Sequence, residues 1–350
     1  MRVVYGPDHS RHAPRLELEK SQFQEPFEHP GRAEIIRATL AADPTFEFAG
    51  PQRWGTAPIE AVHDAGLVRF LATAWAEYQA ECGPTHDVVP DVFRHPGVRD
   101  GMGPGPEPGP VSMRMGWWCY ETTTPLTEGT YRAARASADV ALTATDAVLR
   151  GERAAYGLCR PPGHHAARAV YGGYCFFNNA AVAAQHAVAA GAKVAVLDVD
   201  YHHGNGTQQI FYDRADVMFL SVHADPVRAY PYVTGFADET GTGAGLGHTL
   251  NLPLAAGVGD VELLVALGKA AETIDRFGAD LVVVSLGLDM YVGDPIADLT
   301  VTTDGFHASG RLIRELGRPT AVLQEGGYAT DALGRNAAAW LRGLAGAPIS

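Results

Sequence analysis

From residue 154 to residue 344 the chain alternates short apolar runs rich in β-branched residues with longer stretches of helical periodicity. Few folds admit that alternation. A strand, a helix and a further strand connect by right-handed crossovers, so the repeat builds a largely parallel sheet with helices on both faces. Strands are expected over 154–158, 194–197, 217–222, 249–252, 281–286 and 320–323, and helices over 128–151, 178–191, 261–277, 303–316 and 332–344. The amino-terminal part adds a strand over 2–5, a turn over 6–10, irregular chain over 11–30 and helices over 31–42 and 65–79.

With 350 residues, 46% hydrophobic and 19% charged, the chain has material for one large α/β domain, and a single domain over 1–350 is the expectation. Its formal charge of −13 argues against a general nucleic-acid or anionic-membrane surface and favours small cationic ligands. The cysteines Cys82, Cys119, Cys159 and Cys175 form no CxxC pair, which suits free thiols in a reducing compartment. The first residues lack the apolar core of a signal peptide, and no stretch of about 18 apolar residues follows, so a cytoplasmic location is expected. Between 82 and 116 the composition turns to Pro and Gly without periodicity. That segment reads as an inserted functional loop packed on Trp117, Trp118 and Tyr120, or alternatively as a linker. His9, His12, His29 and His63 read as surface or entrance-loop residues.

Polar groups gather where four strands should end. The stretch KVAVLDVDYHHGNG carries Asp198, Asp200 and His202 at alternate positions, on one side of an extended chain, before a Gly-containing turn. His164 and His165 follow one strand, Asp289 another, and Tyr328 the last. In a parallel sheet these ends share one edge, outside which ligands bind. Asp200, His202 and Asp289 make a three-donor set with room for water and a substrate oxygen, as catalytic zinc requires, though iron(II) or cobalt(II) would also suit it. Such a metal lowers the pKa of a bound water and polarises a carbonyl. Adjacent histidines serve as base and acid if one is neutral and one cationic; Asp198 and Asn205 are the expected orienting partners. Tyr328, after Gly326 and Gly327, is placed to stabilise an oxyanion.

Together RPPGHHA, GGYCFFNNAA, LDVDYHHGNGTQ, SLGLDMYVGDP and EGGY resemble the zinc-dependent histone deacetylase family of the arginase/deacetylase superfamily. The insert followed by GWWCYETTTPLTEGTY is most like that family's bacterial acetylpolyamine amidohydrolase branch. The resemblance implies the arginase/deacetylase fold, zinc on Asp200, His202 and Asp289, a base and acid pair of His164 and His165, and Tyr328 as the carbonyl-polarising phenol. It further implies tunnel walls from Tyr174 and Tyr230, a rim residue in Ile296, and a structural potassium ion held by oxygens of Asp198, Asp200, His202, Ser221 and Val222. The insert would narrow the tunnel and join two copies in a homodimer. The two-manganese arginases resemble Asp-x-His-x-Asp with a later Asp-x-Asp, whereas Gly204 and Tyr291 stand at the extra carboxylate positions here, so one metal is expected. Where polyamine-preferring relatives present acids, this chain has Ser112 and Thr123, with Glu107 and Glu121 as the nearest carboxylates. The expected activity is removal of an acetyl or short acyl group from a small cationic amine, with acetyl-lysine chains as the alternative substrate. A non-catalytic ligand-binding protein is the rival of another class.

Overall fold

The computed structural model describes residues 1–103 and 105–349; Pro104, inside the expected insert, and Ser350 lie outside the described residues. In chain order the elements begin with β1 (Arg2–Val4), β2 (Glu17–Glu19), β3 (Gln22–Gln24), α1 (Gly31–Ala41), β4 (Glu47–Ala49), α2 (Ala57–Glu60), α3 (Ala65–Cys82), α4 (Val111–Trp118) and α5 (Thr130–Leu149). There follow β5 (Ala154–Gly157), α6 (Asn179–Ala189), β6 (Val194–Asp198), α7 (Asn205–Phe211), β7 (Val217–Ala224) and β8 (Thr249–Leu254). The chain closes with α8 (Asp260–Phe277), β9 (Leu281–Leu286), α9 (Thr303–Glu315), β10 (Thr320–Gln324) and α10 (Thr330–Ala345).

Eight strands form one sheet in the order β4-β1-β5-β10-β9-β6-β7-β8, and every pairing in it is parallel. Alternate residues of each strand enter opposite cores, as the period of two requires. Val194 and Val196 enter the core they share with α3, α5 and α6, while Ala195 and Leu197 enter the core shared with α1, α8, α9 and α10. Both faces are covered, which is why these strands read as unbroken apolar runs. Each fully buried Val or Leu contributes ~1.5–3 kcal/mol. A carboxylate at Val196 would instead sit unpaired in the core and cost more than about 4 kcal/mol.

After β6 the chain runs outward through β7 and β8, then returns to β9 on the other side of β6. The boundary between β6 and β9 is therefore a topological switch point, where loops leave the sheet in opposite directions and open a crevice. Strands β5, β10, β9 and β6, whose ends carry the polar motifs, are consecutive neighbours.

Four expectations need correction. The irregular stretch 11–30 contains the antiparallel hairpin β2–β3, whose turn places Lys20 and Ser21 at φ 48° and 65°. Its alternation is too short and polar to stand out. The 82–116 segment is not all loop: α4 begins inside it and packs against α3, with Val111 and Met115 buried. Strand β6 ends at Asp198, so Asp200 and His202 lie in the turn beyond it and Asn205 opens a helix. Finally, His9, His12 and His63 are buried, at 3%, 3% and 2% exposure, because each ring has a polar partner inside the fold.

Candidate active site

At the carboxyl edge of the sheet, beside the switch point, lies a cavity of about 670 Å³. Its inner end is lined by His165, His202 and Tyr328, and its walls by Tyr174, Tyr230, Glu121, Thr123, Ile296 and the β2–β3 hairpin.

The two histidines are set apart by their partners. His164 turns Nδ1 to Asp198 Oδ2 at 3.0 Å, and His165 turns Nδ1 to Asn205 Oδ1 at 2.6 Å. Both partners are acceptors, so each ring carries its proton on Nδ1. Burial disfavours charge on His164, but Asp198 and Asp200 outweigh it and hold the ring up at about 10. His165 has only a neutral amide; burial, then the charges of His164 and His202, push it well below its ordinary value. The rings lie 4.0 Å apart, one cationic and one neutral, and only His165 reaches the cavity wall.

Close packing around the histidine pair requires glycine at positions 204 and 173. A Cβ at Gly204 would lie 2.1 Å from Asp198 Oδ2, and one at Gly173, already at φ 58°, would lie 2.4 Å from His165 Cδ2. Glu325, buried on the last strand's exit, accepts from the backbone of Gly163 at 2.6 Å and His164 at 3.2 Å, and from Ser285 Oγ at 3.1 Å. Burial raises this carboxyl to about 7. Sequence reading passed over Glu325 although it stands immediately before Gly326-Gly327-Tyr328; a charged residue directly after a buried strand was the available signal.

Asp200, His202 and Asp289 bring ligand atoms within 4.8 Å of one another. His202 Nδ1 faces both Asp200 Oδ1, at 3.2 Å, and Asp289 Oδ2, at 3.1 Å. One N–H cannot satisfy two buried carboxylates, and burial together with the Asp200 charge pushes Asp289 up to about 7. A divalent cation among these three atoms relieves both conflicts, so the residues fit the metal their pattern suggests. The other oxygens are already held: Asp200 Oδ2 accepts from Gly326 N at 2.8 Å and Asp289 Oδ1 from Tyr201 N at 2.9 Å.

A histone deacetylase domain model matches residues 26–344. The chain belongs to the histone deacetylase family. Among curated members of that family it is 44% identical over 347 residues to acetylpolyamine amidohydrolase 2 of Pseudomonas aeruginosa, covering 99% of both chains. It is 41% identical over 349 residues to the acetylpolyamine amidohydrolase of Mycoplana ramosa, with 99% of this chain and 100% of the relative covered. A crystal structure of the acetylpolyamine aminohydrolase from Burkholderia pseudomallei superposes with a TM-score of 0.92 at 41% identity, covering 98% of each chain. The arginase/deacetylase fold and the family resemblance expected of the sequence are thus both found.

Within this histone deacetylase domain the wall residues differ in how they are held. Tyr230 sets its ring edge-on to His165 at 4.9 Å and donates to the Tyr120 hydroxyl at 2.7 Å. Tyr174, at φ 66°, approaches Tyr328 ring to ring at 6.0 Å. Both oxygens of Glu121 are engaged, by Gly173 N at 2.9 Å and by Thr123 and Thr124. Glu107 is not in the cavity: it accepts from Trp118 Nε1 at 2.9 Å and lies beside α3. Ser112 caps back to Glu81, at 3.1 Å. No described residue of 82–116 lines the cavity, so within one chain the insert does not narrow it. Of the residues expected around potassium, Asp198 ends β6 in register with Ser221 of β7, where Val222 follows, and Asp200 and His202 lie in the turn beyond β6.

Proposed function

We propose that the chain is a zinc-dependent deacetylase that hydrolyses the acetyl amides of small primary amines, acetylpolyamines foremost. Membership of the histone deacetylase family makes it an amide hydrolase. The names of its full-length relatives support the polyamine substrate. The observation that carries the mechanism is the meeting of three unlike groups at one cavity end: the Asp200, His202 and Asp289 donor set, the neutral His165 and the Tyr328 phenol.

Asp200, His202 and Asp289 would hold zinc, which when bound would supply a Lewis acid able to polarise the carbonyl and acidify water. The remaining work falls to the chain. His165, with Nδ1–H committed to Asn205, offers its Nε2 lone pair to the attacking water and returns that proton to the departing nitrogen. His164 stays charged against Asp198 and stabilises negative charge growing nearby. Tyr328, whose phenol is pushed well above its ordinary pKa by burial, keeps its proton and donates it as a hydrogen bond to the oxyanion. Tyr174 and Tyr230 hold the methylene chain between aromatic faces. A potassium ion on Asp198, Asp200, His202, Ser221 and Val222 oxygens would brace the turn that carries the ligands.

We further propose a cytoplasmic homodimer joined through the insert, where Val92, Val98 and Met102 stand exposed at 54%, 73% and 63%. A second copy would cover that apolar surface. No described helix is long and apolar enough to cross a membrane.

Turnover of the zinc-loaded protein on N-acetylputrescine, N-acetylcadaverine, N8-acetylspermidine and an acetyl-lysine peptide tests the reading. Preference for the small amines supports it; equal or better turnover of the peptide would overturn the substrate class.

A further inference from the structure

The SLGLDMYVGDP motif contains a carboxylate that neither the metal set nor the proton-transfer pair uses. Asp294 is 5% exposed and spends both oxygens on backbone amides far apart in sequence. Its Oδ2 accepts from Tyr328 N at 2.7 Å and Ala329 N at 3.2 Å, and its Oδ1 accepts from Ile296 N at 3.2 Å. One side chain thus grips both the peptide that carries the phenol and the cavity rim.

Two further charged groups hold the same short turn. Asp200 Oδ2 takes Gly326 N, at 2.8 Å, and Arg32 Nε donates to Gly327 O at 2.6 Å. Gly327 sits at φ 117°, where a Cβ would press on Leu288 at 2.8 Å, so the anchored turn admits only glycine there. Of the three anchors, Asp294 alone binds the Tyr328 amide. The Tyr328 ring itself is bounded by the Arg32 guanidinium over its face at 4.6 Å and by Phe27 and Tyr174, at 6.4 and 6.0 Å. Position of the peptide therefore translates directly into position of the hydroxyl. A bland role also exists: Ala329 precedes α10 as its cap and offers no capping side chain, and an anion there stabilises a helix start.

We infer that Asp294 is a positioning residue for Tyr328, setting the phenol against the substrate carbonyl and fixing the Ile296 rim in the same act. The inference rests on the oxyanion role proposed above for Tyr328. A charged acceptor can take two N–H groups on one oxygen and a third on the other. An asparagine of the same size offers one acceptor end and must turn its NH2 toward a donor, either at Ile296 or at Tyr328. The phenol then shifts by a fraction of an ångström, enough to lower turnover without opening the metal set.

The test is a double-mutant cycle on the zinc-loaded enzyme, with zinc content and thermal midpoint measured alongside. Asp294→Asn is expected to lower kcat about tenfold with KM and zinc per chain unchanged. In the Tyr328→Phe background the same substitution is expected to change kcat by less than about twofold, since no hydroxyl remains to be misplaced. A tenfold loss in both backgrounds, following a drop in midpoint, makes Asp294 a helix cap only and overturns the inference. Should Tyr328→Phe alone leave kcat unchanged, the oxyanion role falls first. If Asp294→Asn does not fold, Asp294→Ser, which keeps one oxygen acceptor, takes its place; failure of both to fold assigns Asp294 to stability and equally overturns the inference.

Discussion

The inner end of the cavity and its mouth are built by opposite means. At the inner end Asp198, Asp200, Asp289 and Glu325 are each 0% exposed, and every one accepts from backbone or ring N–H groups of another strand end. At the mouth, the adjacent Glu19 and Lys20 of the hairpin pair with each other, with side chains 29% and 86% exposed. Buried charges hold one geometry because moving them leaves unpaired polar groups in low dielectric, whereas an exposed pair exchanges with water at little cost. Chemistry should therefore be rigid and substrate choice adjustable.

Four measurements would break or sharpen that contrast. The largest effect is expected at His165: His165→Ala should lower kcat roughly 10²–10⁴-fold with zinc retained, and a loss under about tenfold would remove the ring from proton transfer.

Next comes the support behind the inner end. His63 donates from Nδ1 to Ala167 O at 3.0 Å and accepts at Nε2 from Asn178 N at 2.8 Å, so it is bound as the neutral ring. Burial lowers it from 6.5 to about 4. Between those values the unfolded chain binds the extra proton, so this share of stability is full above about 6.5 and is lost as pH falls toward about 4, by up to about 3 kcal/mol. Urea midpoints at pH 7 and pH 4.5 check this against His63→Gln, which keeps a donor and an acceptor but does not titrate. Equal acid sensitivity of the two proteins would show that His63 carries none of it.

A smaller effect is expected from Gly326→Ala. The added Cβ would lie 2.5 Å from Asp289 Oδ2 and 2.6 Å from Asp200 Oδ2. Zinc affinity, read by chelator competition, should weaken roughly 10–100-fold. Unchanged affinity would mean the inner end yields as easily as the mouth. The smallest effect is at the mouth itself: Glu19→Gln should move KM for N8-acetylspermidine by no more than about threefold and leave kcat alone. A tenfold change would show that the hairpin is a built recognition element.

What could be read in advance follows the same division. His164, His165, Asp200, His202, Asp289 and Tyr328 were legible because each stands where an apolar run stops, and a stranded polar residue there has few structural uses. Glu325 and Asp294 sit inside those same motifs, yet their roles were hidden. Their partners are backbone amides 162 and 34 residues away, and an amide has no signature in sequence. The β2–β3 hairpin was missed because three-residue strands leave too little alternation to register. Glu107, expected at the cavity as a carboxylate near Ser112, was misplaced for a related reason: its partner, Trp118 Nε1, is set by the packing of the segment.

The sequence by itself determined a parallel α/β sheet, the donor types at its edge and the adjacency of two histidines, since periodicity and residue chemistry are local properties. Only the tertiary structure decided that β5, β10, β9 and β6 lie side by side, that His165 rather than His164 meets the cavity, and that the hairpin rather than the insert forms the mouth within one chain. Those are facts of strand order and packing, which arise from pairings between residues 38, 87 and 166 positions apart, such as Thr320 with Val282, Leu281 with Val194 and Thr320 with Ala154.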